Sequence, residues 1–208
     1  MSAMINKVAD VYESVAEAIT HLRSAQVKFA KVKEGAIIPS KRDEDMGFDI
    51  YACFDEDYMV INPHETKLIP TGIASACDAD YGFVIFERGS TGSKGIARRC
   101  GVIDSGYRNE WFVGLTNTTN KILLISKLAE NDAIDKYYSD MTPHNFIKRF
   151  VFNLKKRSTK IFVYPYTKAI VQALIVPVPK AEVEEIPYDE LQAIESERGM
   201  GALGSSNK

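Results

Sequence analysis

The chain has 208 residues, 45% apolar and 26% charged, which suits one domain with additions rather than a disordered polymer. Its 26 Lys and Arg against 28 Asp and Glu leave a net charge of −2, so no global field draws it to nucleic acid or to an acidic membrane. No apolar run approaches the ~20 residues of a bilayer span, and no basic-then-apolar leader opens the sequence.

Residues 4–22 repeat Met4, Val8, Val11, Val15, Ile19 and Leu22 at helical spacing, which predicts an amphipathic helical extension over residues 1–24. From Val27 the period changes to two, the mark of a strand. Short β-like runs follow at Phe48–Ala52, Tyr58–Ile61, Leu68–Ile69, Ile73–Ala76, Phe83–Phe86, Trp111–Leu115 and Ile122–Ile125, punctuated by Gly, Pro, Asn and Asp. Many short strands without intervening helices predict an all-β sandwich, jelly roll or barrel over residues 25–181.

Residues 127–160 break that rhythm and read as a partly helical insertion. Lys148, Arg149, Lys155, Lys156, Arg157 and Lys160 form a basic cluster there, either a solvated hairpin or helix face or a docking surface for a protein partner or nucleic acid. Strand returns at Ile161–Tyr164 and Ala169–Val178. The acidic stretch 182–197 reads as a surface linker. It leads into a Gly/Ser-rich end from Arg198 to Lys208.

Cys53, Cys77 and Cys100 are an odd set without metal spacing. They read as small buried hydrophobes in a reducing, cytoplasmic setting. His21, His64 and His144 are scattered, which gives a zinc site or a His-based triad little support.

Several segments carry chemistry. Arg88-Gly89-Ser90-Thr91-Gly92-Ser93-Lys94-Gly95 combines cations, hydroxyls and glycines. Such a loop is either a common turn or a cradle whose N–H groups and Arg grip anionic oxygens. Arg198 and Gly204-Ser205-Ser206 repeat that chemistry in what is either a loose terminus or a tail that closes over phosphates. Asp49 sits between apolar neighbours in Gly47-Phe48-Asp49-Ile50. An inward carboxylate there needs a cation, a metal-bound water or backbone donors. Gln172 lies inside the apolar run Ala169–Val176, so it is either a structural cross-link or a site residue.

Residues 101–108, Gly-Val-Ile-Asp-Ser-Gly-Tyr-Arg, are the most informative. Ser105-Gly106 predicts a two-residue hairpin that sets Asp104 opposite Tyr107. The ring suits stacking under a sugar or base, and the carboxylate suits orienting a water. Two phosphate-gripping segments, an inward carboxylate, a buried Gln and this turn together suit a nucleoside triphosphate with Mg2+.

The order and spacing of these segments resemble the homotrimeric deoxyuridine triphosphatases (dUTPases), with an insertion as in phage-type members. Gly47–Ile50 resembles the first of that family's five motifs, Arg88–Lys94 the second and Gly101–Arg108 the third. Ile170-Val171-Gln172 resembles the fourth and Arg198–Ser206 the fifth. The resemblance implies a distorted jelly roll and a trimer with sites between subunits. It implies hydrolysis of dUTP to dUMP and pyrophosphate with Mg2+. By the same resemblance Asp104 activates the water that attacks the α-phosphorus, and Tyr107 lies against the deoxyribose. Gly101, Val102 and Ile103 would read uracil through main-chain groups. Arg88, Gly89, Ser90 or Thr91 would hold phosphates, and Gln172 would support them. Asp49 would hold waters of Mg2+. Arg198, Leu203, Gly204, Ser205 and Ser206 would close the site. A free Asp carboxyl is a weak base, so this chemistry works only on a water already polarised and in line.

The chain departs from the family pattern in several places. Glu87 stands for the usual Pro, Asn109 for a Gly, Lys168-Ala169 for an acid and Arg, and Leu203 for a Phe. The related dCTP deaminases share the jelly roll but need an acid/base at the pyrimidine ring. Glu110 is the residue near the turn that fits that role. A third alternative is a regulatory protein that binds a partner through residues 127–160.

Overall fold

The computed structural model describes residues 25–99, 101–142 and 160–196. The predicted N-terminal helix, Cys100, most of the basic cluster and the residues from Arg198 onward lie outside them. The period-two segments form twelve strands among the described residues. In order they are β1 (Val27–Lys31), β2 (Phe48–Ile50), β3 (Tyr58–Ile61), β4 (Thr66–Pro70), β5 (Ile73–Cys77) and β6 (Tyr81–Phe86). They continue with β7 (Ile96–Arg99), β8 (Val102–Ile103), β9 (Phe112–Asn117), β10 (Ile122–Ser126), β11 (Ile161–Pro165) and β12 (Val171–Pro177). They pair as four small sheets, β1-β5, β11-β10-β3, β2-β12-β6-β8 and β4-β9-β7. The all-β, jelly-roll-like expectation is met in open sheets rather than a closed barrel.

The inward faces bury Ile50, Ile61, Ile69, Ile73, Phe83, Ile85, Trp111, Val113, Leu115 and Val171 in one core. Phe29, Phe83 and Trp111 pack edge-on or tilted, with centroids 5.0–5.8 Å apart, the geometry aromatic quadrupoles favour. This ring cluster fixes β1 against β6 and against the segment leading into β9.

β12 is the strand on which the site depends. It runs antiparallel to β2 on one side, with Gln172 opposite Asp49. On the other side it runs antiparallel to β6, with Gln172 opposite Phe86. The register therefore gathers three of the sequence-marked segments at one end of one sheet.

The insertion is a crossover. β10 and β11 are parallel neighbours, Leu124 opposite Val163, and parallel neighbours need a long connection. Its first half forms a helix over Glu130–Met141. Ala133, Tyr137 and Tyr138 turn inward onto Leu124, with Tyr58, Val60, Ile122, Ile161 and Val163 around them. Tyr58 donates to Asp140 Oδ2 at 2.7 Å, and Lys136 lies 3.6 Å from Asp57. The sheet β11-β10-β3 is thus packed on one face by the main core and on the other by this helix.

The described residues 179–196 belong to a unit separate from the β domain. The acidic stretch, expected as plain linker, contains a short exposed helix at Tyr188–Ala193. None of the helices among the described residues is long and apolar enough to cross a membrane.

Candidate active site

The site begins with the close approach of β2 and β12. A Cβ on Gly47 would stand 3.1 Å from both Cβ and Oε1 of Gln172 and 3.2 Å from Leu174. Glycine there lets the chain enter β2 directly over Gln172. Asp49 then lies beside Gln172 in the register. The Gln172 amide donates to the Glu87 carbonyl at 2.9 Å, which satisfies the polar group that the apolar run left in question. Gln172 is therefore a cross-link to the residue before Arg88, and it also faces the cavity.

Arg88 closes the arrangement. Its Nε lies 2.9 Å from Asp49 Oδ1, its Nη2 donates to Asp49 Oδ2 at 3.2 Å, and its Nη1 donates to the Ala169 carbonyl at 3.3 Å. This is a fork-on-fork ion pair, with each partner's side chain about one third exposed. The next residues make one helical turn, Gly89–Gly92. Thr91 is buried, and its Oγ1 accepts from Arg88 N–H at 3.1 Å and donates to Arg88 O at 3.0 Å. Thr91 therefore caps the turn from behind, while Ser90 faces the cavity. Lys94 turns elsewhere, with its ammonium 5.6 Å and 5.8 Å from the ring centres of Phe162 and Tyr164.

A cavity of about 710 Å3 lies in front of these groups. Gly47, Asp49, Arg88, Gly89, Ser90 and Gln172 line it, with the loop Ser40–Met46 opposite. Sequence reasoning missed that loop. Lys41 donates to the carbonyls of Arg42 and Asp45 at 3.2 Å and 2.9 Å. Arg42 grips Asp45 with two bonds of 2.9 Å and 2.8 Å, and that pairing holds the Asp45 carboxyl down to about 2. The run Lys41-Arg42-Asp43-Glu44-Asp45 reads as a solvated loop, and only its folding over β2 makes it a wall.

The third segment lies apart. Ser105-Gly106 does turn the chain, with Tyr107 N–H donating to Asp104 O at 3.0 Å. It does not close the predicted hairpin. β8 pairs with β6, and the chain after the turn enters β9, which pairs with β4 and β7. A turn between two sheets replaces the ladder expected between Asp104 and Tyr107. Interactions with the β4–β5 corner hold it. Arg108 Nη1 donates to the carbonyls of Ser105, Tyr107 (3.2 Å) and Ser75 (3.4 Å). Tyr107 Oη donates to Glu110 O at 3.1 Å. Glu110 Oε1 accepts from Gly72 N–H at 2.8 Å, so the acid weighed for deaminase chemistry holds a backbone turn.

Gly101 meets Arg98 and the Ile85 carbonyl, 3.2 Å from where a Cβ would stand, and its own carbonyl accepts from Ile85 N–H at 2.7 Å. Val102 is exposed and Ile103 packs on the core.

Asp104 is exposed and does not line the cavity. The register explains the separation. Ile103 lies opposite Phe83, whereas Gln172 lies opposite Phe86. Asp104 is thus level with Gly82, four residues back along β6 and on its far side. That is about 13 Å along the strand plus two strand spacings of about 4.8 Å across. One chain brings Asp49, Arg88, Gly89, Ser90 and Gln172 together and leaves Asp104 and Tyr107 on another part of its surface.

A cavity lined by arginine, serine and a glycine-rich turn is chemistry for phosphates. Among the described residues no three His, Cys, Asp or Glu side chains group to hold a metal ion, and both Asp49 oxygens already accept from Arg88. Each oxygen retains further acceptor capacity. The residues fit an ion delivered on a phosphate chain and touched through water, not one caged by the protein.

Comparison with known proteins gives the family. The dUTPase family model matches residues 33–131. A deoxyuridine 5'-triphosphate nucleotidohydrolase of Nautilia profundicola is 29% identical over 187 residues, spanning 88% of this chain and 99% of its own length. The dUTPase of Staphylococcus bacteriophage 80alpha, solved as a mutant with dUpNHpp, aligns with a TM-score of 0.60 at 21% identity, covering 87% of this chain and 98% of that one. A mutant dUTPase from phage phi11 of S. aureus, solved to show a structural Mg(II) ion, aligns with a TM-score of 0.54 at 17% identity, over 77% and 96%. The chain therefore carries a dUTPase-family domain over residues 33–131.

Proposed function

We propose that this chain hydrolyses dUTP to dUMP and pyrophosphate at a site shared between subunits of a homotrimer. The observation that carries the shared site is the separation of Asp104 from the Arg88 cavity within one chain. The α-phosphorus and the phosphates beyond it lie closer together than those two places do, so one chain cannot serve both ends of one triphosphate. A neighbouring copy that brings its turn to the cavity supplies the missing carboxylate.

In this reading Arg88, Gly89 N–H and Ser90 hold the phosphates, and Gln172 keeps Arg88's neighbour Glu87 in place. Asp104 takes a proton from a water as its oxygen bonds to the α-phosphorus. The bond from that phosphorus to the bridging oxygen breaks, and pyrophosphate leaves. Tyr107, about one third exposed, offers its face to the deoxyribose and leaves no room for a 2′-hydroxyl. Asp49 would hold Mg2+ through water, and the ion would supply neutralisation of the triphosphate's charge. Arg198, Leu203, Gly204, Ser205 and Ser206 close the site as a tail.

The described helix of the insertion turns its apolar face onto its own sheet, so a protein partner at residues 127–160 would meet its polar face. That role adds to hydrolysis and does not replace it. Pyrophosphate release from dUTP, UTP and dCTP with Mg2+ tests the reading. Release from dUTP alone supports it. Ammonium release from dCTP, or no release from dUTP, overturns it.

A further inference from the structure

We propose that the Tyr164 hydroxyl is a positioning group for the phosphate grip, setting Arg88 from behind the cavity. The proposal rests on the phosphate site described above and adds to it a residue from β11, outside the family's motifs.

Tyr164 is 1% exposed and held in β11 opposite Ile125. Its ring fills the core, a task phenylalanine would do as well. The hydroxyl needs a separate explanation, because burying one is costly unless it is bonded. Its partners are groups of the site. It donates to the Ala169 carbonyl at 2.7 Å, the oxygen that also accepts from Arg88 Nη1. A carbonyl has two lone pairs, and here each is used. Burial pushes the Tyr164 hydroxyl's pKa up, while the Ser90 hydroxyl and the Arg88 guanidinium facing it pull the other way.

Arg88 is thereby fixed on two sides. Asp49 takes Nε and Nη2, and the Ala169 carbonyl takes Nη1. Removing the Tyr164 hydroxyl frees one lone pair of that carbonyl in a place water does not reach. The carbonyl that Arg88 Nη1 meets is then less firmly held. A guanidinium held at two corners meets a phosphate without first giving up rotamer freedom, whereas a looser one loses part of that advantage.

The test is binding of a non-hydrolysable dUTP analogue with Mg2+, by calorimetry, to the full chain and to Tyr164→Phe, Arg88→Ala and the double variant. Thermal midpoints are measured in parallel. Tyr164→Phe is expected to weaken binding about five- to tenfold, the size of one lost hydrogen bond, with the fold intact. On the Arg88→Ala background the same change is expected to cost less than about twofold, because groups acting through one another are not additive. Unchanged binding in Tyr164→Phe, full additivity, or an unfolded Tyr164→Phe chain each overturns the proposal. Unchanged binding in Arg88→Ala defeats the phosphate site itself, an outcome distinct from failure of the tyrosine's role.

Discussion

Asp49 and Arg88 meet in two parallel bonds, Oδ1 2.9 Å from Nε and Oδ2 3.2 Å from Nη2, so the acid of the first motif orients the cation of the second. Asp49→Asn keeps the shape and removes the charge. It replaces one accepting oxygen with a donor that opposes the guanidinium. Turnover of dUTP is expected to fall by roughly 10²–10³-fold, the range for losing one preorganised polar group. Steady-state kinetics at saturating Mg2+ checks this.

Arg108 has a comparable role at the turn proposed as the other half of the site. One nitrogen bridges the carbonyls of Ser105, Tyr107 and Ser75, which ties the Asp104 turn to β5. Arg108→Ala is expected to lower kcat by about tenfold or more while Kd for a non-hydrolysable analogue changes little, since a misplaced base harms the transition state most. Lysine at this position should restore only part of the loss, because it has no planar fork.

Gly47→Ala tests the close approach of β2 and β12. A new Cβ would lie 3.1 Å from Gln172, so the neighbours must shift by a few tenths of an ångström. The expected cost is about 1–3 kcal/mol of overpacking, read by chemical denaturation, together with a raised KM as Gln172 and Asp49 separate.

The insertion helix should matter to stability rather than to chemistry. Leu124 is fully buried beneath Ala133, Tyr137 and Tyr138. Leu124→Ala is expected to destabilise the fold by about 2–5 kcal/mol and to leave KM for dUTP within about twofold, since the helix covers the face of the sheet turned away from the main core.

Alkaline pH should weaken the fold steeply. Burial raises the phenol pKa values of Tyr137, Tyr138, Tyr164 and Tyr166, and burial with the Asp140 carboxylate raises that of Tyr58. Each raised group contributes stability that is complete below its unfolded pKa near 10 and is lost as pH climbs toward the folded value. Above pH 10 the unfolded chain binds fewer protons, so the free energy of unfolding falls with pH. Denaturation midpoints between pH 8 and 11.5 check the sign. Tyr58→Phe should flatten the curve.

The fold was legible because alternation in short runs leaves little but open β-structure. Gln172 was legible too, as an amide among apolar neighbours. Its partner was not, because the Glu87 carbonyl is 85 residues away in the chain. Ser90 and Thr91 carry the same hydroxyl chemistry, and only the phase of one helical turn puts the first toward the cavity and the second inside. β7, with two arginines in four residues, has no alternation to reveal it. The Lys41–Asp45 wall reads as an ordinary charged loop until β2 places it. Ser105-Gly106 is legible as a turn, but a dipeptide does not say to which sheet the next strand belongs.

The most direct measurement mixes two inactive chains. Asp104→Asn keeps the Arg88 cavity, and Arg88→Ala keeps the carboxylate. Each alone should release no pyrophosphate from dUTP above about 1% of wild type, given the usual loss of a reacting group. Unfolded and refolded together in equal amounts, they should regain up to about one quarter of wild-type activity, as random pairing at a two-chain site gives. A mixture of folded chains that stays as inactive as its parts would contradict a site shared between subunits.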